Sequence, residues 1–175
     1  NFSVVRGAVR GDIKRFSAYE RSGFRVTDLT GQMYVYKGVI HVDDLAATTP
    51  YSTLYMPRMH INGESWQQYK NYIPEVPMDF VAENSDISSN DVGFFAPALR
   101  DWGIELRDMD VTYKGTVVDF EATARNVALG EGSTINATAH VLGMPQWRTS
   151  TYIVGVESAH IESEDAAYVL DAVLK

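Results

Sequence analysis

The chain has 175 residues, 45% of them hydrophobic and 22% charged, with no cysteine. That composition belongs to a globular domain with a sizeable core, and it excludes a disordered tail, a collagen-like chain, a coiled coil, a disulfide scaffold and thiolate or Cys-zinc chemistry. Fifteen Lys and Arg against 23 Asp and Glu leave a net charge of −8, and no run of 18 apolar residues is present, which argues against nucleic acid, anionic head groups and a membrane-spanning helix.

Asn1 stands where an initiator Met would be, and no charged-then-apolar leader follows. The expectation is a processed protein or a piece of a longer one. Turns are expected at Arg10-Gly11-Asp12 and Arg21-Ser22-Gly23, and strands between such Gly, Pro, Asn and Asp breaks. Residues 64–72 suggest a short helix closed off by Pro74 and Pro77. From Ser89 to Trp102, Val92, Phe95, Leu99 and Trp102 fall at helical spacing, with Ser89 as N-cap and Asp91 in the first turn. Next, Val118, Phe120, Ala122 and Ala124 alternate with Asp119, Glu121, Thr123 and Arg125. Beyond a Gly130-Glu131-Gly132 turn, Ile135, Ala137, Ala139 and Val141 alternate with Asn136, Thr138 and His140. A Leu142-Gly143-Met144-Pro145 turn leads to Tyr152, Val154 and Val156, again at every second position. A Ser163-capped helix with Asp165 in its first turn closes the chain through Leu174. Period-two alternation puts each set on one face of a sheet, apolar on one side and polar on the other.

Two blocks recur in the same order. Leu29 to Ile40, with Tyr36-Lys37-Gly38, matches Leu106 to Val117, with Tyr113-Lys114-Gly115, at an offset of 77. Ile87-Ser-Ser89-Asn-Asp91 matches Ile161-Glu-Ser163-Glu-Asp165 at an offset of 74. The expectation is one elongated β domain of two related units, 24–102 and 103–175, each ending in a short capped helix, with lead-in strands over 1–23. The fold class is therefore mainly β: an elongated antiparallel sheet, solenoid-like or sandwich-like.

No catalytic site, metal site or cofactor site is expected. His41, His60, His140 and His160 lack zincin spacing, although His41 with His60, and His140 with His160, could meet on neighbouring strands. The acidic groups Asp43-Asp44, Asp108-Asp110 and Glu162-Glu164-Asp165 read as a strand end, polar face and helix start rather than a glycosidase pair. No Gly-x-Ser-x-Gly elbow, phosphate loop or calcium loop occurs. Tyr34, Tyr36, Tyr51 and Tyr55 could form a carbohydrate platform, though Tyr is also a good strand former.

The succession Ser22-Gly-Phe-Arg-Val-Thr-Asp-Leu29, Tyr36-Lys-Gly38, Thr49-Pro-Tyr-Ser-Thr-Leu54, Ser89-Asn-Asp91, Thr134 to Met144-Pro145, and Ser163-Glu-Asp165 resembles the periplasmic repeat region of TamB and AsmA-like proteins in the large form of Bacteroidetes-type bacteria. The likeness covers roughly residues 11–175, and it implies a curled, taco-like antiparallel sheet with an apolar inner groove. It implies an internal piece of a translocation and assembly module anchored in the inner membrane and extended through the periplasm. It also implies a role in outer-membrane biogenesis through phospholipid transfer, with acyl chains, neighbouring repeats of the parent chain and outer-membrane β-barrel assembly proteins as partners. The expected lipid-groove lining is Val118, Phe120, Ala122, Ile135, Ala137, Ala139, Val141, Val154 and Val156. The same alternation fits the closed core of a sandwich covered by the two helices. Two other roles remain open: a scaffold that pairs client β-strands, and a surface carbohydrate-binding module.

Overall fold

A computed structural model of the chain describes residues 2–21, 23–94, 100 and 102–173. Ten antiparallel strands form one open, curled sheet, each strand beside its neighbour in sequence. They are β1 (Phe2–Val5), β2 (Ala8–Tyr19), β3 (Arg25–Tyr36), β4 (Val39–Thr48), β5 (Thr53–Asn62), β6 (Met78–Ser88), β7 (Glu105–Gly115), β8 (Asp119–Leu129), β9 (Ser133–Leu142) and β10 (Thr151–His160). The helices are short: a 3-10 turn at Gln68–Asn71, α1 (Tyr72–Glu75), α2 (Ser89–Val92) and α3 (Ser163–Val173). No second sheet lies over the first among the described residues, so the sandwich alternative is set aside.

The register builds long apolar rows across the sheet. Opposed residues of antiparallel strands share a face. One row runs Val4, Val9, Val35, Ile40, Ile61, Met78, Gly115, Phe120, Val141, Tyr152. The next runs Phe2, Gly11, Met33, Val42, Met59, Phe80, Tyr113, Ala122, Ala139, Val154. A third includes Ala82, Val111, Ala124, Ala137 and Val156.

Beyond these rows the alternation slips by one residue. In six strands two consecutive polar residues are both exposed: Lys14-Arg15, Asp43-Asp44, Glu83-Asn84, Arg107-Asp108, Arg125-Asn126 and Glu157-Ser158. Residues on either side of each doublet turn back to the apolar face, as in Val42 and Leu45 or Ala124 and Val127. Asp44, Asn84, Asp108 and Asn126 take positive φ, near 50°. A bulge bends its strand, and doublets side by side bend the sheet along a line. The polar side carries the extra residue, so it forms the outside of the bend. Val42, Leu45, Ala82, Met109 and Val127, all flanking doublets, are among the most buried apolar residues. Much of the core is thus the floor of the crease, while Val76 of the 63–77 connection, Leu129 and Val141 are buried nearer the strand ends.

Three of the bulge amides find a side-chain acceptor on an adjacent strand. Asn84 N–H donates to Asp110 Oδ1 (3.0 Å), Asp108 N–H to Asp86 Oδ1 (3.0 Å) and Asn126 N–H to Asn136 Oδ1 (2.7 Å). Asn126 Nδ2 also donates to Asp110 Oδ2 at 2.6 Å. These two donors hold the Asp110 carboxyl below the usual carboxylate range.

Several sequence expectations need correction. Arg10-Gly11-Asp12 lies inside β2, and the preceding turn is Arg6-Gly7. Asp43-Asp44 is a mid-strand bulge rather than a strand end. The helix expected over 89–102 is described as one turn ending at Val92, and Phe95 and Leu99 lie outside the described residues. Its N-cap is Ser88, whose hydroxyl accepts from Asn90 N–H. Pro74 sits inside the first turn of α1, where its missing N–H costs nothing. Ser22 and Leu174 also lie outside the described residues. The Tyr-Lys-Gly blocks are out of phase. Lys37-Gly38 is the β3–β4 turn, while Lys114-Gly115 ends β7, and Tyr36 and Tyr113 stand on opposite faces.

The Ser-x-Asp blocks do correspond in detail. Asp91 Oδ2 accepts from Ser52 Oγ (2.5 Å), and Ser52 Oγ accepts from Ser88 N–H (3.1 Å). Asp165 Oδ2 accepts from Ser133 Oγ (2.7 Å), and Ser133 Oγ accepts from Glu162 N–H (2.9 Å). Ser52, just before β5, and Ser133, at the start of β9, are both buried, and they hold the same place in two four-strand sets, β3–β6 and β7–β10. These aspartates therefore latch a helix to a hairpin, beyond any effect of the helix dipole. A Cβ on Gly130 (φ +62°) would lie 1.7 Å from Asp165 Oδ1, so the latch needs a glycine there.

The Ser133 hydroxyl and the neighbouring backbone N–H groups hold the Asp165 carboxyl below its ordinary value. For both Asp110 and Asp165 the folded pKa is depressed. Their stabilising contribution is present above the unfolded pKa, about 3.9, and is lost as pH falls through the folded value. Stability should fall between roughly pH 5 and 3, and Asp165→Asn should flatten that limb in urea titrations at each pH. Gly130→Ala should destabilise by about 1–3 kcal/mol at neutral pH, read from the same titrations.

Candidate functional site

Eight of the nine expected groove residues fall on one face. Phe120 opposes Val141, Ala122 opposes Ala139, Ala124 opposes Ala137, and Val127 opposes Ile135. Val154 and Val156 extend the rows from Ala139 and Ala137. Val118 lies in the turn before β8, where its carbonyl accepts from Gly143 N–H at 2.7 Å.

The face is wider than that set. Its centre is aromatic: Phe80, Tyr113 and Phe120 stack in succession with centroids 4.6 and 4.7 Å apart. Tyr113 donates to Thr116 O (2.8 Å), so its polar end is satisfied at the rim while its ring lies in the apolar row. Burial pushes the Tyr113 phenol up to about 12. The sequence signal for this strip is the alternation of Met109, Val111 and Tyr113 along β7.

Exposure varies across the face in a regular way. Ala82 is 5% exposed and Val42 7%, while Val154 and Val156 on the last strand are 58% and 62% exposed. Lateral neighbours cover the side chains in the middle of the sheet. Their tips, as at Phe80, Phe120, Ala122 and Ala137, stay partly open, because no second sheet lies above them among the described residues.

Two rims bound the face. One carries the Lys37-Gly38 turn, the 63–77 connection, the 116–118 turn and the 143–150 connection. These touch in sequence around the rim: Tyr69 OH donates to Gly38 O (2.7 Å), Val117 N–H to Ile73 O (3.1 Å) and Gly143 N–H to Val118 O (2.7 Å). Gly38 (φ +110°) has Ser65 backbone 2.7 Å from where a Cβ would stand, which fixes glycine at that approach. The other rim carries the two Asp-latched helices. The helices thus edge the face at its strand ends.

The opposite face is polar. His41 and His60 stack at 3.8 Å, with His41 Nε2 2.9 Å from Asn62 Oδ1 and His60 Nε2 2.9 Å from Asp43 Oδ1. His140 and His160 do not meet: His140 pairs with Asp119 and His160 with Glu162. Among the described residues no three His, Asp or Glu side chains gather as a metal set. Tyr34 lies beside Arg10 and His41 near one rim, whereas Tyr55 and the turn residue Tyr51 lie toward the other, so the four tyrosines make no common platform. No described helix is long and apolar enough to cross a membrane.

The Tyr113 phenol should titrate about two units above an ordinary tyrosine, as absorbance near 295 nm would show, and Tyr113→Phe should remove that component. A folded pKa raised for a group that loses its proton means stability falls as pH rises above about 10.

Compared with protein-family models, curated proteins and solved structures, the chain matches none.

Proposed function

We propose that this chain is a non-catalytic module that holds lipid acyl chains along the apolar face of its curled sheet. One observation carries the reading: a ten-stranded sheet with continuous apolar rows and, among the described residues, no second layer above them. Each methylene moved from water onto such a face is worth roughly 0.8 kcal/mol, so a long chain is held without any covalent step. The rows run across the strands, parallel to the crease, so an acyl chain can slide from strand to strand while its head group stays in water. The resemblance to TamB and AsmA-like repeats sets this in the periplasm, in phospholipid transfer between inner and outer membrane during outer-membrane biogenesis. On that reading the parent protein also works beside the β-barrel assembly proteins. The carbohydrate alternative has less support, because its tyrosines are dispersed.

Ala137→Asp tests the proposal. Ala137 is partly open in the third row, so a carboxylate there can remain hydrated. The variant should melt within a few degrees of the parent chain and lose binding of a fluorescent phospholipid. If the change unfolds the chain, as an unpaired buried charge would, the face is a closed core and the proposal fails. A parent chain that binds no acyl probe would also end it.

A further inference from the structure

The free edge of β10 has an internal precedent. β2, β6 and β10 occupy the same position in the pattern. Val9, Met78 and Tyr152 stand in the first row, and Gly11, Phe80 and Val154 in the second. Their polar doublets, Lys14-Arg15, Glu83-Asn84 and Glu157-Ser158, follow at offsets of 69 and 74 residues. On the same edge, β2 carries β3 and β6 carries β7, both antiparallel. Among the described residues the corresponding edge of β10 carries no strand, and every residue from Thr151 to His160 is exposed.

We propose that the outer edge of β10 is a docking site for a strand of the β3/β7 pattern, the first strand of a further four-strand set. Transferring the β6–β7 register by 74 residues fixes the alignment. A Gly at the position of Gly115 would oppose Tyr152, a Tyr at the position of Tyr113 would oppose Val154, and a Val at the position of Val111 would oppose Val156. That register extends all three apolar rows by one strand.

Three features favour this occupant. β10 is ten residues long and has no Pro or Lys, so apart from its bulge it lacks the devices that blunt an edge. The other edge strand, β1, has four residues and offers a second copy of this chain far less backbone than an 11-residue strand would. The helix that follows β10 leaves the edge clear. Asp165 of α3 is latched to Ser133, and Tyr168 OH donates to Gly103 O at 2.5 Å, which draws α3 back along the strand ends beside β7 and β9. After β6, α2 makes the same latch and β7 still pairs.

The test uses the full chain and a labelled peptide of residues 105–115, with a scrambled peptide as control. The native-order peptide should bind saturably by fluorescence anisotropy and slow amide exchange of Thr151–His160 by about tenfold or more, leaving β1 unchanged. Ile153→Pro and Val154→Pro are made in parallel. Adjacent amides of a strand point to opposite sides, so one substitution removes a bond to β9 and the other only an outward N–H. The variant that keeps the parent's melting temperature should lose peptide binding. Equal binding by the scrambled peptide, unchanged exchange in β10, or retained binding in that folded variant overturns the proposal. Concentration-dependent self-association that protects β1 and β10 together would assign the edge to a second copy instead. None of these readouts involves lipid, so the result stands apart from the acyl-chain proposal.

Discussion

A pleated strand that keeps strict alternation runs nearly straight, and a strand that bends must break the alternation somewhere. In this chain the break is a pair of consecutive outward polar residues, and in six strands the pairs fall within one row of the same level of the sheet. Everything else follows from that break. It turns a flat meander into a trough, places the buried residues Val42, Leu45, Ala82, Met109 and Val127 at its floor, and puts Asp and Asn on the outside. There Asp110, Asp86 and Asn136 satisfy the amides that the bulges free from the ladder. Ser85, wholly buried, does the same within the fold: its hydroxyl accepts from Tyr55 N–H at 3.0 Å where β5 and β6 part at the crease. Part of the acidic charge is therefore spent on backbone bonding.

Much of the sheet was legible because alternation is a strong signal. Over β9 the pattern from Ile135 to Val141 is unbroken, and the structure keeps it so. Strands with a doublet were harder to read. Asp43-Asp44 looks like a strand terminus because two carboxylates in a row violate period two, and the same violation hid the continuity of β4. The signal was available: an apolar residue, two polar residues, then a return to small or apolar residues, repeated in six strands. Read as a slip in phase rather than an end, it marks the crease directly.

The latches show a different limit. Ser-x-Asp before a helix reads locally as a cap, and the residue types fit that role. The partners of Asp91 and Asp165 are serines 39 and 32 residues away, and no local window contains them. Ser52 and Ser133 sit in dissimilar sequence, Tyr-Ser-Thr against Gly-Ser-Thr, so their equivalence appears only once the rows are known. By contrast, the Tyr-Lys-Gly match is strong in sequence and falls out of phase in space, because one copy makes a turn and the other ends a strand. Similar letters recorded a shared preference for strand ends, whereas the hydrogen-bonded latch recorded a shared position.

A single-layer sheet has a stability problem that a sandwich does not. Only lateral contacts shield its apolar side chains, so each gains part of the burial a closed core would give. This chain answers with side-by-side aromatic stacking at Phe80, Tyr113 and Phe120, with the crease, and with rims tied to the hairpins by hydrogen bonds. None of these devices covers the face. The tips of the side chains along the middle rows stay accessible, while the strands that bear them are fixed at both ends. A fold whose supports lie at the floor and rims can leave its apolar surface open without losing the register that makes the surface continuous, and an acyl-binding face requires that combination.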